Sequence, residues 1–159
     1  VSAIIGIDPG ATGWIVAVDS DGVVWARNNP DTDDGWATIL RDYTDCRAVV
    51  ERQQAMRCEG RIQGVSSTFT TGCNYGIIRG VLAALGMSRE YVRSQDWQKV
   101  MLRGEPKAKG KELKALYVAV AERLWPSVSF RGPRGGMLDG KAAAALIAEY
   151  GRRMLMGAA

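Results

Sequence analysis

The stretch IIGIDPGATGWIVAV, residues 4–18, decides how the chain is read. Ile4, Ile5 and Ile7 are β-branched residues that suit a buried strand, and Pro9-Gly10 ends that strand in a turn. Asp8 therefore stands at the tip of a core strand. A carboxylate desolvated on one side is costly without a cation or hydrogen-bond donors. Asp8 is thus either a turn cap holding backbone N–H groups or a member of a charged site, and this stretch alone leaves both readings open.

Working outward, Trp14–Val18 and Val23–Ala26 are apolar runs separated by Asp19-Ser20-Asp21-Gly22, a hairpin signal. The first three strands are expected to form an antiparallel meander. Residues 28–34 read as a polar loop, Trp36–Tyr43 as a short helix, and CRAVVER (46–52) as a fourth strand with Glu51 at its exit. Gln53–Ser67 is polar and poorly periodic and reads as a loop. A long helix is expected over Thr68–Leu85, with Phe69, Cys73, Ile77, Val81 and Leu85 forming a core stripe widened by Ile78 and Leu82, and Gly86 at its end. EYVRS (90–94) is a fifth strand, followed by a helical turn in QDWQKVML (95–102). Amphipathic helices follow over Lys111–Leu124 and Leu138–Met154, the second preceded by the Gly/Pro loop RGPRGGM (131–137). The chain has no internal repeat or low-complexity segment. The fold class is therefore α/β: one mixed five-stranded sheet, three antiparallel strands and then parallel additions, with helices on both faces.

A chain of 159 residues, 47% hydrophobic and 24% charged, fits a single domain over 1–159 and is too short for two ordinary lobes. The net charge of +4 favours an anionic partner, nucleic acid first. No apolar run approaches the ~20 residues that cross a bilayer, so a cytoplasmic protein without membrane contact is expected. Cys46, Cys58 and Cys73 lack C-x-x-C spacing and read as reduced thiols. The chain contains no histidine, which excludes Ser-His and Cys-His nucleophilic pairs. Carboxylates, lysines or a metal must carry any chemistry.

Asp139 falls in the first turn of the last helix. If the first and fourth strands are parallel neighbours, Asp8 and Glu51 leave the sheet side by side, and the start of a covering helix reaches the same point. Three converging carboxylates repel one another unless a cation lies between them, and hard oxygen ligands select Mg²⁺ or Mn²⁺. Such a site suits phosphoryl transfer.

GIDPGATG (6–13), VVERQ (49–53) and DGKAAAALIAEYG (139–151), in this order and separation, resemble Holliday junction resolvases of the RuvC type, within the RNase H-like and retroviral-integrase superfamily. The resemblance spans nearly the whole chain, and the short middle is closest to phage-encoded members. It implies an RNase H-like fold, a symmetric homodimer, and metal-dependent paired nicks across four-way DNA junctions. It also implies two Mg²⁺ or Mn²⁺ ions per active site, held by Asp8, Glu51, Asp139 and a further acidic residue one turn later. The chain departs from the pattern there, with Ala142 and Ala143 at the third and fourth positions on. DGKADAALIA is expected where DGKAAAALIA stands, so Ala143 reads as a missing ligand, removed by design or lost naturally. Four alanines are also simply good helix formers.

Lys99, Lys107, Lys109, Lys111 and Lys114, with Arg103, lie in a Gly- and Pro-punctuated stretch suited to DNA phosphates, although such runs are commonly only solvated surface. Arg52, Arg57, Arg61, Arg131, Arg134 and Lys141 flank the acidic positions and are further DNA-binding candidates. Met56 is a weak candidate for a wedge between bases at a junction centre. Gly72, Gly76 and Gly80 line one helix face and imply close approach of another backbone, either the sheet or the same helix of a second subunit. Two other functions compete: a junction-binding protein that never cuts, and a phosphate-binding turn of the kinase type at IDPGATG, which lacks room for its second lobe.

Overall fold

The computed structural model describes residues 3–54, 57–58, 61–62 and 64–156, with only the backbone described for 57, 58, 61, 62, 155 and 156. In chain order the elements are β1 (Ile4–Ile7), β2 (Trp14–Asp19), β3 (Gly22–Asn28), α1 (Asp33–Leu40), β4 (Arg47–Glu51), the two-residue strands β5 (Arg57–Cys58) and β6 (Arg61–Ile62), α2 (Val65–Ala84), β7 (Arg89–Val92), α3 (Ser94–Met101), α4 (Gly110–Leu124) and α5 (Asp139–Gly151). The main sheet has the order β3-β2-β1-β4-β7. β1 and β2 pair antiparallel, as do β2 and β3, whereas β4 adds parallel to β1 and β7 parallel to β4. This is the mixed sheet that the sequence predicts.

Side-chain alternation along the central strands divides the core into two layers. Ile4, Val16, Val18 and Val49 pack with α5 on one face, while Ile5, Ile7, Ile15, Ala17, Ala48 and Val50 pack with Trp36, Leu40, Ile78 and Leu82 of α1 and α2 on the other. Because both faces are covered, the central strands read as continuous apolar runs.

Residues 142–148 of α5 are all buried, and the small side chains of Ala144 and Ala148 let the helix lie directly on β1. A Cβ at Gly6 would stand 2.1 Å from the Ala144 carbonyl oxygen, and one at Gly140 2.2 Å from the Thr12 carbonyl oxygen. Ala144 and Ala148, opposite Gly6, are thus both good helix formers and side chains small enough for that close approach.

The structure corrects the reading of α2. The helix begins at Val65 rather than Thr68, and Phe69 is 73% exposed, not part of the core. Ile78 and Leu82 are fully buried, with Ile77, Val81 and Leu85 partly so, whereas Cys73 is exposed. The first two turns therefore extend past the sheet that would cover them. A Cβ on Gly72, Gly76 or Gly80 meets nothing within 4 Å, so the sheet is not the partner of the glycine face. The fifth main-sheet strand ends at Val92, and Ser94 opens α3 instead. Residues 53–67, expected to be loop, contain β5, β6 and the start of α2.

Gly6→Ala should lower the unfolding free energy by about 2–3 kcal/mol or prevent folding, because the helix and strand must separate to admit the methyl group. Gly72→Ala should be neutral to stabilising by up to ~1 kcal/mol. Urea unfolding of the two variants checks this, and equal stability would contradict the close α5–β1 contact.

Candidate active site

The parallel register sets Ile7 opposite Val50, so the next residues, Asp8 and Glu51, leave the sheet side by side, with neighbouring strands about 4.8 Å apart. Alternation directs both toward the α5 face, since Gly6 and Val49, two residues earlier, meet that helix. The β1 ladder runs through Asp8, whose N–H donates to the Trp14 carbonyl at 3.1 Å. Beyond it the chain turns tightly: the Gly10 N–H donates to Asp8 Oδ1 at 3.2 Å, and Asn29 Nδ2 donates to the Asp8 carbonyl at 2.7 Å and the Gly10 carbonyl at 3.3 Å. Asp8 is therefore a turn cap and a site carboxylate at once. Two of the turn's N–H groups already have acceptors, Asp8 for Gly10 and the Gly10 carbonyl for Gly13, which weakens a kinase-type phosphate cradle there.

Asp139 opens α5, and its carboxylate pairs with Lys114 Nζ of α4 at 3.0 Å. The Ser94 hydroxyl, at the start of α3, donates to Glu51 Oε1. Burial, then the charge of Glu51, and after them that of Asp139, push the Asp8 carboxyl up to about 7, against the Gly10 N–H and Lys114. Burial also raises Glu51, while Ser94 and the Trp97 indole oppose the shift. Trp97 Nε1 is buried and has no hydrogen-bond partner among the described residues, so its interaction with Glu51 falls short of hydrogen-bond geometry. The Tyr117 hydroxyl accepts from Gln98 Nε2 at 2.6 Å and is held protonated by burial and by Glu51, Asp8 and Asp139.

Ser94, Trp97, Lys114 and Tyr117 complete the surroundings of the carboxylates, and only Lys114 was singled out from sequence, for another role. The legible signal for Ser94 and Trp97 was their i, i+3 spacing in the first turn after β7, the strand beside β4.

Hard oxygen donors under mutual repulsion suit a divalent cation. As the side chains stand, Asp139 is turned to Lys114 and Glu51 to Ser94. Among the described residues no three His, Cys, Asp or Glu side chains enclose an ion. Asp8 and Glu51 could hold a cation directly, with Asp139 joining by exchanging Lys114 for it. Ala142 and Ala143, the latter one turn after Asp139, are buried and supply no ligand.

No family model and no curated protein matches this sequence. Solved structures do match. Thermus thermophilus RuvC aligns over 96% of this chain and 96% of its own at a TM-score of 0.57 and 17% identity. The T. thermophilus RuvC in complex with Holliday junction substrate aligns over the same shares at a TM-score of 0.62 and 14% identity. The chain has the RuvC fold.

On this RuvC fold the basic candidates separate into two groups. Lys99, Lys107, Lys109 and Lys111 are exposed and form no ion pair among the described residues, and Arg134 is exposed in its loop. Others have intramolecular partners. Arg52 donates to the Tyr91 carbonyl at 3.1 Å, and Arg131 pairs with Glu122 at 2.9 Å. Lys141 donates to the Ser129 carbonyl at 2.8 Å and lies over the Trp14 and Phe130 rings, bracing the loop before α5. Met56 lies outside the described residues, as do the side chains of Arg57 and Arg61.

The raised carboxyl of Asp8 has a signed consequence. Between its ordinary value near 3.8 and about 7 the folded protein keeps a proton that the unfolded chain releases, so Asp8 makes stability fall as pH rises through this window. Asp8→Asn should raise Tm at pH 8 by about 5 °C or more, with the gain shrinking toward zero near pH 4. A pH-independent difference in thermal melts would contradict the burial of this charge.

Proposed function

We propose that this chain is a single-domain, structure-selective DNA-binding protein of the endonuclease type that recognises four-way junctions, with its hydrolytic site lacking one carboxylate at position 143. The observation that carries this reading is the meeting of Asp8, Glu51 and the start of α5 at the carboxyl ends of two parallel strands, on a fold whose similar structures include RuvC in complex with Holliday junction substrate. Asp8, Glu51 and Asp139 would hold Mg²⁺ or Mn²⁺, two ions where position 143 is also acidic, and such ions activate water and stabilise the leaving oxygen in phosphodiester hydrolysis.

The chain's own residues prepare that site. Asn29 fixes the turn that aims Asp8, and Ser94 orients Glu51. Lys114 holds Asp139 and places a positive charge where a phosphate must enter. Tyr117, kept protonated by its neighbours, offers a hydroxyl hydrogen to a phosphate oxygen.

DNA recognition rests on Lys99, Lys107, Lys109, Lys111 and Arg134, whose side chains are exposed. Phe69, exposed near the start of α2, supplies the planar wedge that the preceding loop lacks. The open glycine face of α2 supports a homodimer, which presents two equivalent sites to two equivalent strands of a junction. Among the described residues no helix is long and apolar enough to cross a membrane, in keeping with a cytoplasmic site of action. Ala143 favours one further reading, a protein that binds junctions without cutting them.

Ala143→Asp separates these readings. Residues four apart share a helix face, so the new carboxylate stands beside Asp139. The variant should nick branched DNA with Mg²⁺, leaving 5′-phosphate and 3′-hydroxyl ends at little-changed junction affinity, and Asp8→Asn in that background should abolish the nicking. A folded, junction-binding Ala143→Asp protein that cuts nothing in Mg²⁺ or Mn²⁺ would establish the binder instead. Sedimentation should give a dimer at micromolar concentration, and a monomer with and without junction DNA would contradict the proposed symmetry.

A further inference from the structure

Between α3 and α4, bounded by the 103–109 connection, lies a groove of about 640 Å³. Its floor is apolar, with Leu102 from the end of α3 and Leu113 and Leu116 from one face of α4. Its rim carries Lys99, Lys107 and Lys109, exposed and without ion pairs among the described residues. Of the two carboxylates that also line it, Glu105 is paired with Arg123, leaving Glu112 as the counter-charge without a salt bridge among the described residues. An apolar floor under a basic rim fits a ligand with a flat hydrophobic body and anionic ends.

The groove also adjoins the carboxylate site. Gln98 lines its wall and donates to the Tyr117 hydroxyl, the group that feels Asp8, Glu51 and Asp139 together. Lysine contacts to a DNA backbone need only a charged surface, so the apolar floor calls for a base. The volume falls in the ordinary range for small-ligand sites.

We propose that this groove is a subsite for one unstacked nucleotide of the bound DNA strand, its base resting on Leu102, Leu113 and Leu116 and its flanking phosphates held by Lys99, Lys107 and Lys109. The Gln98 amide, at the wall, is placed to read the edge of that base. The inference rests on the reading of the chain as a junction-binding protein and adds to it a site of base discrimination next to the cleavage position.

The test uses four-way junctions carrying 2-aminopurine at successive positions around the exchange point, bound to the full chain. One position should brighten severalfold on binding as its base leaves the stack. An abasic nucleotide at that position should weaken binding about fivefold or more, and Leu113→Asn should reduce the brightening while gel shift still detects the complex. The abasic arm leaves the protein unaltered and so does not depend on the variant folding. Junction binding with no bright position, or with a bright position that neither Leu113→Asn nor Lys107→Ala/Lys109→Ala changes, overturns the subsite alone. A chain that binds no junction overturns the functional reading and the subsite with it. Displacement of an acidic, leucine-rich peptide from the groove by neither junction nor single-stranded DNA would assign it to a protein partner and overturn the nucleotide.

Discussion

The backbone contact of α5 with β1 and with the turn that follows it is the constraint on which the rest depends. It needs glycine at position 6, against the Ala144 carbonyl and the Ala148 N–H, and at position 140, against the Thr12 carbonyl. That closeness places Asp139, on the first residue of α5, within electrostatic reach of Asp8 and Glu51 at the strand exits. A bulkier interface would lift the start of α5 away from the sheet and separate the carboxylates. Packing and site geometry are therefore one requirement, met by the same few small residues.

The site that results is electrostatically unfinished. Two partly buried carboxylates stand side by side, and a third is shared with Lys114, so burial and the charge of Glu51 push the Asp8 carboxyl up to about 7. A protein built for stability alone would place an amide or an apolar residue at position 8, and retaining the acid there is the mark of a site awaiting a positive partner. Lys114 supplies part of that charge, but its ion pair is more than half exposed on the lysine side and is easily exchanged. Ala143 supplies no carboxylate one turn after Asp139, where the resemblance to RuvC-type resolvases implies one, so under the proposed function DNA binding and cutting separate.

Much of this was legible in the sequence because it rests on short-range rules. The apolar run ending in Asp8-Pro9-Gly10, the Asp-Gly hairpin and the strand ending in Glu51 gave the sheet and two of its carboxylates, and the helix start gave Asp139. The glycines of α2 were noticed, but their direction was not readable, since a helix with apolar positions around much of its circumference does not declare which face the sheet takes. Phe69 was assigned to the core for the same reason: its spacing fits the stripe, yet the helix outruns the sheet beneath it. For Lys141 and Arg131 the sequence gives the cation's presence but not its intramolecular partner, the Ser129 carbonyl and Glu122. Ser94, Trp97 and Tyr117 escaped notice as neutral side chains whose relation to the carboxylates exists only once α3 and α4 are packed.

The most direct test of the account is where a divalent cation binds. Mn²⁺ titrated into the ¹⁵N-labelled protein at pH 8 should selectively broaden the amide signals of Ile7, Asp8, Gly10, Glu51, Arg52 and residues 139–141, while those of Ser20, Asp21 and Gly22, at the opposite end of the sheet, stay sharp. Broadening at the Asp19–Gly22 turn with none at Asp8, Glu51 and Asp139 would contradict the claim that these three carboxylates form one cation site.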